Sequence, residues 1–192
     1  MHHRLRQPKN GELSEEKLRF ILSGVNEWLK FAEAKLGVLV AINGSVAFAA
    51  LSLLNEQSQA GICTRTALLL LALTNVISMM LCLASLAPCQ SPVRCADGHG
   101  TRATVNLLYF EDIAALEPKD YLASMATDRF ERPRNSSGAD LMDYAEQIVT
   151  NSRIAVKKYR FFKAGVIITI IGLTIVSLAD IVHLVLMLFG AR

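Results

Sequence analysis

The sequence predicts an all-α membrane protein. It has three transmembrane helices, two of them with long amphipathic cytosolic extensions, and a small, mainly helical cytosolic insert. Three observations predict this class. The composition is 52% apolar and only 19% charged across 192 residues, which lies on the membrane side of ordinary globular usage. Nearly all the charge falls outside three long apolar runs, and two of those runs contain no charged residue. Each of the two reaches the roughly 20 helical residues that cross about 30 Å of hydrocarbon.

Taken in order, residues 1–12 read as a flexible N-terminus. Residues 13–35 read as an amphipathic helix. Leu18, Ile21, Leu22, Val25, Trp28, Leu29 and Ala32 recur at three- and four-residue spacing, with Glu15, Lys17, Arg19, Glu27, Lys30 and Glu33 elsewhere. Ser14 suits an N-cap, and Glu15 and Glu16 suit the first turn. No proline separates this segment from the first span, 36–54, so one helix should run through both. The apolar run begins far from Met1 behind charged sequence, so we expect a retained anchor rather than a cleaved signal peptide. A polar loop, 55–65, leads to the second span, 66–87.

Residues 88–163 form the cytosolic region. Pro88, Pro92, Gly98 and Gly100 punctuate its first part as a loop. Thr104–Phe110 has strand-like composition, and a helix continuing into Glu111–Leu116 fits nearly as well. A short helix should begin near Pro118, because proline is tolerated in a first turn. Residues 131–139 have linker composition. The stretch Asp140–Lys163 repeats the amphipathic design, with Leu141, Tyr144, Ile148, Ala155, Tyr159 and Phe162 as its stripe. It leads into the third span, 164–189, and the two extensions should pack against each other.

Orientation follows from the basic residues near the span ends. Lys30 and Lys35 precede the first span, and Arg94 and Arg102 follow the second. Arg153, Lys157, Lys158, Arg160 and Lys163 precede the third, whereas the 55–65 loop carries one basic residue, at its edge. The expectation is a multi-pass protein of the cell inner membrane with a cytoplasmic N-terminus. Cys63 would then lie outside, and Cys89 and Cys95 in the reducing cytosol, where no disulfide is expected. Cys89, Cys95 and His99 are spaced too loosely for zinc and lack a fourth ligand, so no metal is assigned.

Several polar and small residues stand out within the spans. Gly37, Ala41, Ser45 and Ala49 recur every fourth residue, a pattern that lets helix backbones approach closely in lipid. It fits a subunit interface or packing against the other spans of the same chain. Asn43 and Asn75 sit mid-span and need hydrogen-bond partners; glue between helices is favoured over a pore lining. Asp180 and His183 share a helix face near the far end of the third span. A charge at the bilayer centre costs roughly 3 kcal/mol on lenient scales, so the pair is a candidate for ion or proton movement. The sequence has no Walker A loop, dinucleotide fingerprint, nucleophile elbow or HExxH motif, and no catalytic residue is assigned. The basic cluster before the third span suits anionic headgroups or a phosphorylated ligand.

The order of short motifs resembles a known family. Asn26, Trp28, Ala32 and Lys35 lead into the first span, which contains Asn43. Asn106–Ala114 reads NLLYFEDIA, followed by Pro118, Tyr121 and Leu122. Gln147, Ile148, Ser152, Ile154, Lys157 or Lys158, and Arg160 then lead into the last span. Over about Leu18–Leu178 this is similar to the transmembrane effector domain of Pycsar anti-phage systems. The resemblance implies a nonenzymatic effector that a cyclic nucleotide from a partner nucleotide cyclase switches on, so that it impairs the inner membrane. No appended cyclic-nucleotide-binding fold is recognisable here, so direct recognition would fall to the small cytosolic region. The expected ligand contacts are Arg102, Lys157, Lys158 and Arg160 for phosphate, and Tyr109, Phe110 or Tyr159 for the base. The expected cofactors are none apart from a cyclic nucleotide as activating ligand. The expected partners are membrane lipid, further copies of the chain and the cyclase, with no nucleic acid polymer. The alternatives are a small channel or transporter subunit using Asp180 and His183, and a membrane scaffold.

Overall fold

A computed structural model describes residues 15–56, 61–87, 105–128 and 138–190. Five helices account for nearly all of them: α1 (Glu15–Glu56), α2 (Ile62–Leu86), α3 (Phe110–Ala114), α4 (Pro118–Asp128) and α5 (Gly138–Gly190). There is no strand among the described residues, and α1, α2 and α5 are each long and apolar enough to cross a membrane. The all-α, three-span class is therefore what the chain adopts. The expected Ser14 cap, the loop proper around Cys89, Cys95 and His99, and the 1–12 segment lie outside the described residues. The linker ends earlier than its composition implies, because Gly138 and Ala139 already belong to α5.

The chain divides into two compact units. The first comprises residues 1–31 and 89–156, the second 32–88 and 157–192. Helices α1 and α5 each contribute to both, which is the outcome of having no helix breaker where the polar stripe gives way to the apolar run.

In the first unit, the start of α1 packs against the start of α5 as their stripes predict. Leu18, Ile21 and Val25 share one core with Leu141, Ala145, Ile148 and Val149. The Asn151 amide donates to Asn26 Oδ1 at 2.8 Å. At the rim, Arg19 Nε donates to Tyr144 Oη at 2.7 Å, and that hydroxyl donates to Glu15 at 3.1 Å.

The NLLYFED segment is neither the strand nor the long helix its composition allows. It is a capped turn followed by five helical residues. The Leu108 amide donates to Asn106 Oδ1 at 3.0 Å, and the Asn106 amide donates to Asp112 Oδ2 at 2.9 Å. These side chains give the backbone local partners that compete with a ladder or a longer helix. At the other end, Arg153 of α5 donates to the carbonyls of Ala114 and Leu116 and pairs with Glu117, satisfying acceptors that a helix C-terminus leaves open. Helix α4 begins at Pro118 as expected, and it buries Tyr121 and Met125 in the same core.

Candidate functional site

The second unit is built by α2 with the membrane-spanning parts of α1 and α5. Three of its polar side chains are drawn inward into one connected cluster. Asn43 of α1, Ser78 of α2 and Thr169 of α5 are all buried. Asn43 Nδ2 donates to Ser78 Oγ at 2.7 Å, and Ser78 donates to the Gly165 carbonyl at 2.9 Å. Thr169 Oγ1 lies 2.9 Å from both Asn43 Oδ1 and the Gly165 carbonyl. Having one proton, it donates to one of them at a time. Glycine makes this approach possible. A methyl on Gly165 would sit 3.0–3.2 Å from Cys82 Sγ, Leu39 Cδ2 and Ser78 Oγ, and one on Gly172 would run into Thr74.

Asn43 thus takes part in a hydrogen-bond network that links all three spanning helices. Asn75 is also fully buried. Its amide donates to the Leu71 carbonyl of its own helix at 2.8 Å, while its Oδ1 has no hydrogen-bond partner.

A second polar contact joins the same three helices nearer the polar half of the chain. Lys158 Nζ lies 3.2 Å from Glu33 Oε1 on α1, and donates at 3.2 Å to the Ser85 carbonyl in the last turn of α2. A cation there complements the negative end of the α2 dipole. Next to it, the Lys35 ammonium lies 5.4 Å from the Tyr159 ring and 5.8 Å from that of Phe162, within reach of a cation–π attraction.

Several residues expected to meet a ligand make contacts within their own unit. Lys158 is buried and engaged in the contact just described. Phe110 is buried too, its ring 5.5 Å from Trp28 and 5.0 Å from Tyr109, so stacking a base on it would require displacing its neighbours. Tyr109 and Phe110 belong to the first unit, whereas Lys157, Lys158, Tyr159 and Arg160 belong to the second. Arg160 is exposed, Lys157, Tyr109 and Tyr159 are half-buried, and Arg102 lies outside the described residues. A groove in the first unit, about 400 Å³, is lined by Glu15, Asp140, Asp143, Tyr144 and Gln147. Three carboxylates give it the wrong sign for a phosphate.

The small-residue ladder faces away from the bundle. Gly37, Ala41, Ser45 and Ala49 are exposed, while Leu36, Leu39, Asn43, Ala47 and Ala50 make the contacts of α1. Asp180 and His183 are exposed near the end of α5. Residues that sequence reasoning passed over carry much of the packing: Ser78, Thr169, Gly165 and Gly172. The signal was present as two small-residue stripes at helical spacing, Asn75–Ser78–Cys82–Ser85 and Gly165–Thr169–Gly172.

Fold and site together define a class: a three-helix membrane protein whose span bundle is tied by buried polar side chains and which carries a compact helical unit of its own. The chain belongs to the Pycsar effector protein domain family (PycTM), whose model matches residues 17–187. No curated protein and no solved structure matches it significantly. Membership makes it a membrane effector of anti-phage defence, in a system that includes a functional partner cyclase.

Proposed function

We propose that this chain is a nonenzymatic effector held silent as a closed bundle, which a cyclic nucleotide converts into an oligomer that impairs the inner membrane. One observation carries the reading. Asn43, Ser78 and Thr169 bond to one another and Ser45, Thr74, Asn75, Thr174 and Ser177 to carbonyls of their own helices, while the small-residue ladder of α1 is turned outward. A single bundle so arranged offers little for an ion to follow, so disruption falls to several copies associated through exposed faces. The chain would sit in the inner membrane with a cytoplasmic N-terminus. Asp180 and His183, exposed at one end of α5, lend little support to a conduction path inside one copy.

For the ligand, Lys157 and Arg160 are the phosphate contacts this reading retains, with Arg102. Lys158 is excluded from the test set, because reversing its charge would break the contact with Glu33 whatever the nucleotide does. Tyr109→Ala and Tyr159→Ala separate the two units as the site of base stacking.

The reading is tested in cells that carry the chain with or without its cyclase, by following membrane potential. Depolarisation should require the cyclase and should be lost in a Lys157→Glu/Arg160→Glu chain that still reaches the membrane. Depolarisation that ignores both the cyclase and those substitutions would rule out the switch.

A further inference from the structure

We propose that α5 of one copy docks against the α1–α2 groove of the next, with Asp180 pairing with the neighbour's Arg65. The inference rests on the oligomeric reading above and supplies its contact. Two features of the second unit, each unmatched among the described residues, fit one another.

The first is the distal part of α5. Every residue from Ile181 to Gly190 is exposed, and Ile181, Leu184, Leu186, Leu188 and Phe189 are all at least 57% accessible. Helix rise explains this. Measured from the level of the Asn43–Ser78–Thr169 network at 1.5 Å per residue, α5 continues for about 32 Å, but α1 only about 20 Å and α2 about 24 Å. The end of α5 outlasts its partners, and an apolar helix surface is left that no described residue covers.

The second feature is the groove at the end of the bundle where α1 and α2 meet. It holds about 530 Å³ and is lined by Phe48, Leu51, Ser52, Leu54, Asn55 and Arg65. Arg65 is exposed and forms no side-chain hydrogen bond or ion pair among the described residues. The same holds for Asp180.

Depth matches the two charges. Counting from the same network, Asp180 lies about 17 Å along α5 and Arg65 about 20 Å along α2. Two charges of opposite sign, without an ion-pair partner among the described residues, thus stand at one level, each at the edge of an apolar surface. Docking covers the exposed leucines of α5 with Phe48, Leu51 and Leu54 and brings the carboxylate to the guanidinium. Arginine suits this pairing, because its planar fork meets a carboxylate bidentately. The patches differ on the two sides of the contact, so it is heterologous, and repeated copies form a ring or an open filament rather than a two-fold dimer.

The test uses the full chain in native membranes, with Cys63, Cys89 and Cys95 replaced by serine. Chains carrying Arg65→Cys and chains carrying Asp180→Cys, distinguished by tags of different size, are co-expressed with the cyclase and treated with a short bismaleimide. The pairing predicts a product joining the two tags and little product joining like tags. In the cysteine-free-surface background without these changes, lysine cross-linking reports the oligomer itself. There Arg65→Asp or Asp180→Arg should each reduce the cross-linked fraction up to about fivefold, and the Arg65→Asp/Asp180→Arg chain should recover it. Oligomers that form by lysine cross-linking but give no mixed-tag product would overturn the pairing and leave the oligomeric reading standing, with lipid as the cover of both surfaces. Like-tag products in equal yield would replace it with a two-fold contact. Absence of oligomers under every condition would remove both.

Discussion

At the scale of single residues, the span bundle depends on hydrogen bonds that lipid cannot replace. Thr169→Val keeps the shape of the side chain but removes the donor facing Asn43. Leaving a buried acceptor unpaired costs about 1–3 kcal/mol, although bonds of this kind inside membranes average nearer 0.6 kcal/mol. The thermal midpoint in detergent should therefore fall, and Asn43→Leu paired with Thr169→Val should cost less than the two single changes summed. An additive result would mean that the two side chains are not coupled. In the first unit, burial pushes the Tyr121 phenol above its ordinary value of 10, while its hydroxyl donates to the Leu107 carbonyl at 3.3 Å. A raised folded-state value stabilises below the unfolded one and is lost as pH rises past it. The unit should thus weaken from about pH 10 upward, and Tyr121→Phe should flatten that alkaline loss in a circular-dichroism titration. Asn43 was legible as a helix tie because an isolated amide in an apolar run has few other uses. Lys158 was not: its partners Glu33 and the Ser85 carbonyl are distant in sequence, and a lysine in a basic cluster looks like surface.

At the scale of elements, the three spans and the two continuous helices were readable because apolar length and the absence of proline leave few alternatives. The α1 and α5 stripes were readable for the same reason, since three- and four-residue spacing has one structural solution. The segment around Asn106 was not, because two side-chain caps six residues apart decide it, and composition averages over them. The close seam of α5 was also missed. Its glycines were visible, but only the neighbouring Thr74 and Cys82 show why they must be glycine. Gly172→Leu should separate α5 from α2, since its side chain meets Thr74 at the first carbon. Limited proteolysis in detergent should show faster cleavage than in the wild type, whereas Gly190→Leu, with open space around it, should leave the pattern unchanged.

At the scale of the whole molecule, the sequence carried the family through the order of its motifs, and the structure gives those motifs physical jobs. Asn106 and Asp112 cap a turn, Trp28 lies against Phe110, and Asn43 ties three spans. The ligand set was less legible, because residues that look alike in sequence divide between buried ties, such as Lys158, and exposed groups, such as Arg160. The central claim is that one closed bundle is harmless and that signal and assembly together open the membrane. Release of a trapped dye from vesicles of bacterial lipid, followed while the protein-to-lipid ratio is raised with and without cyclic nucleotide, tests it most directly. Release should require the nucleotide and rise more steeply than in proportion to protein. Release without nucleotide, in simple proportion down to single copies per vesicle, would contradict the account.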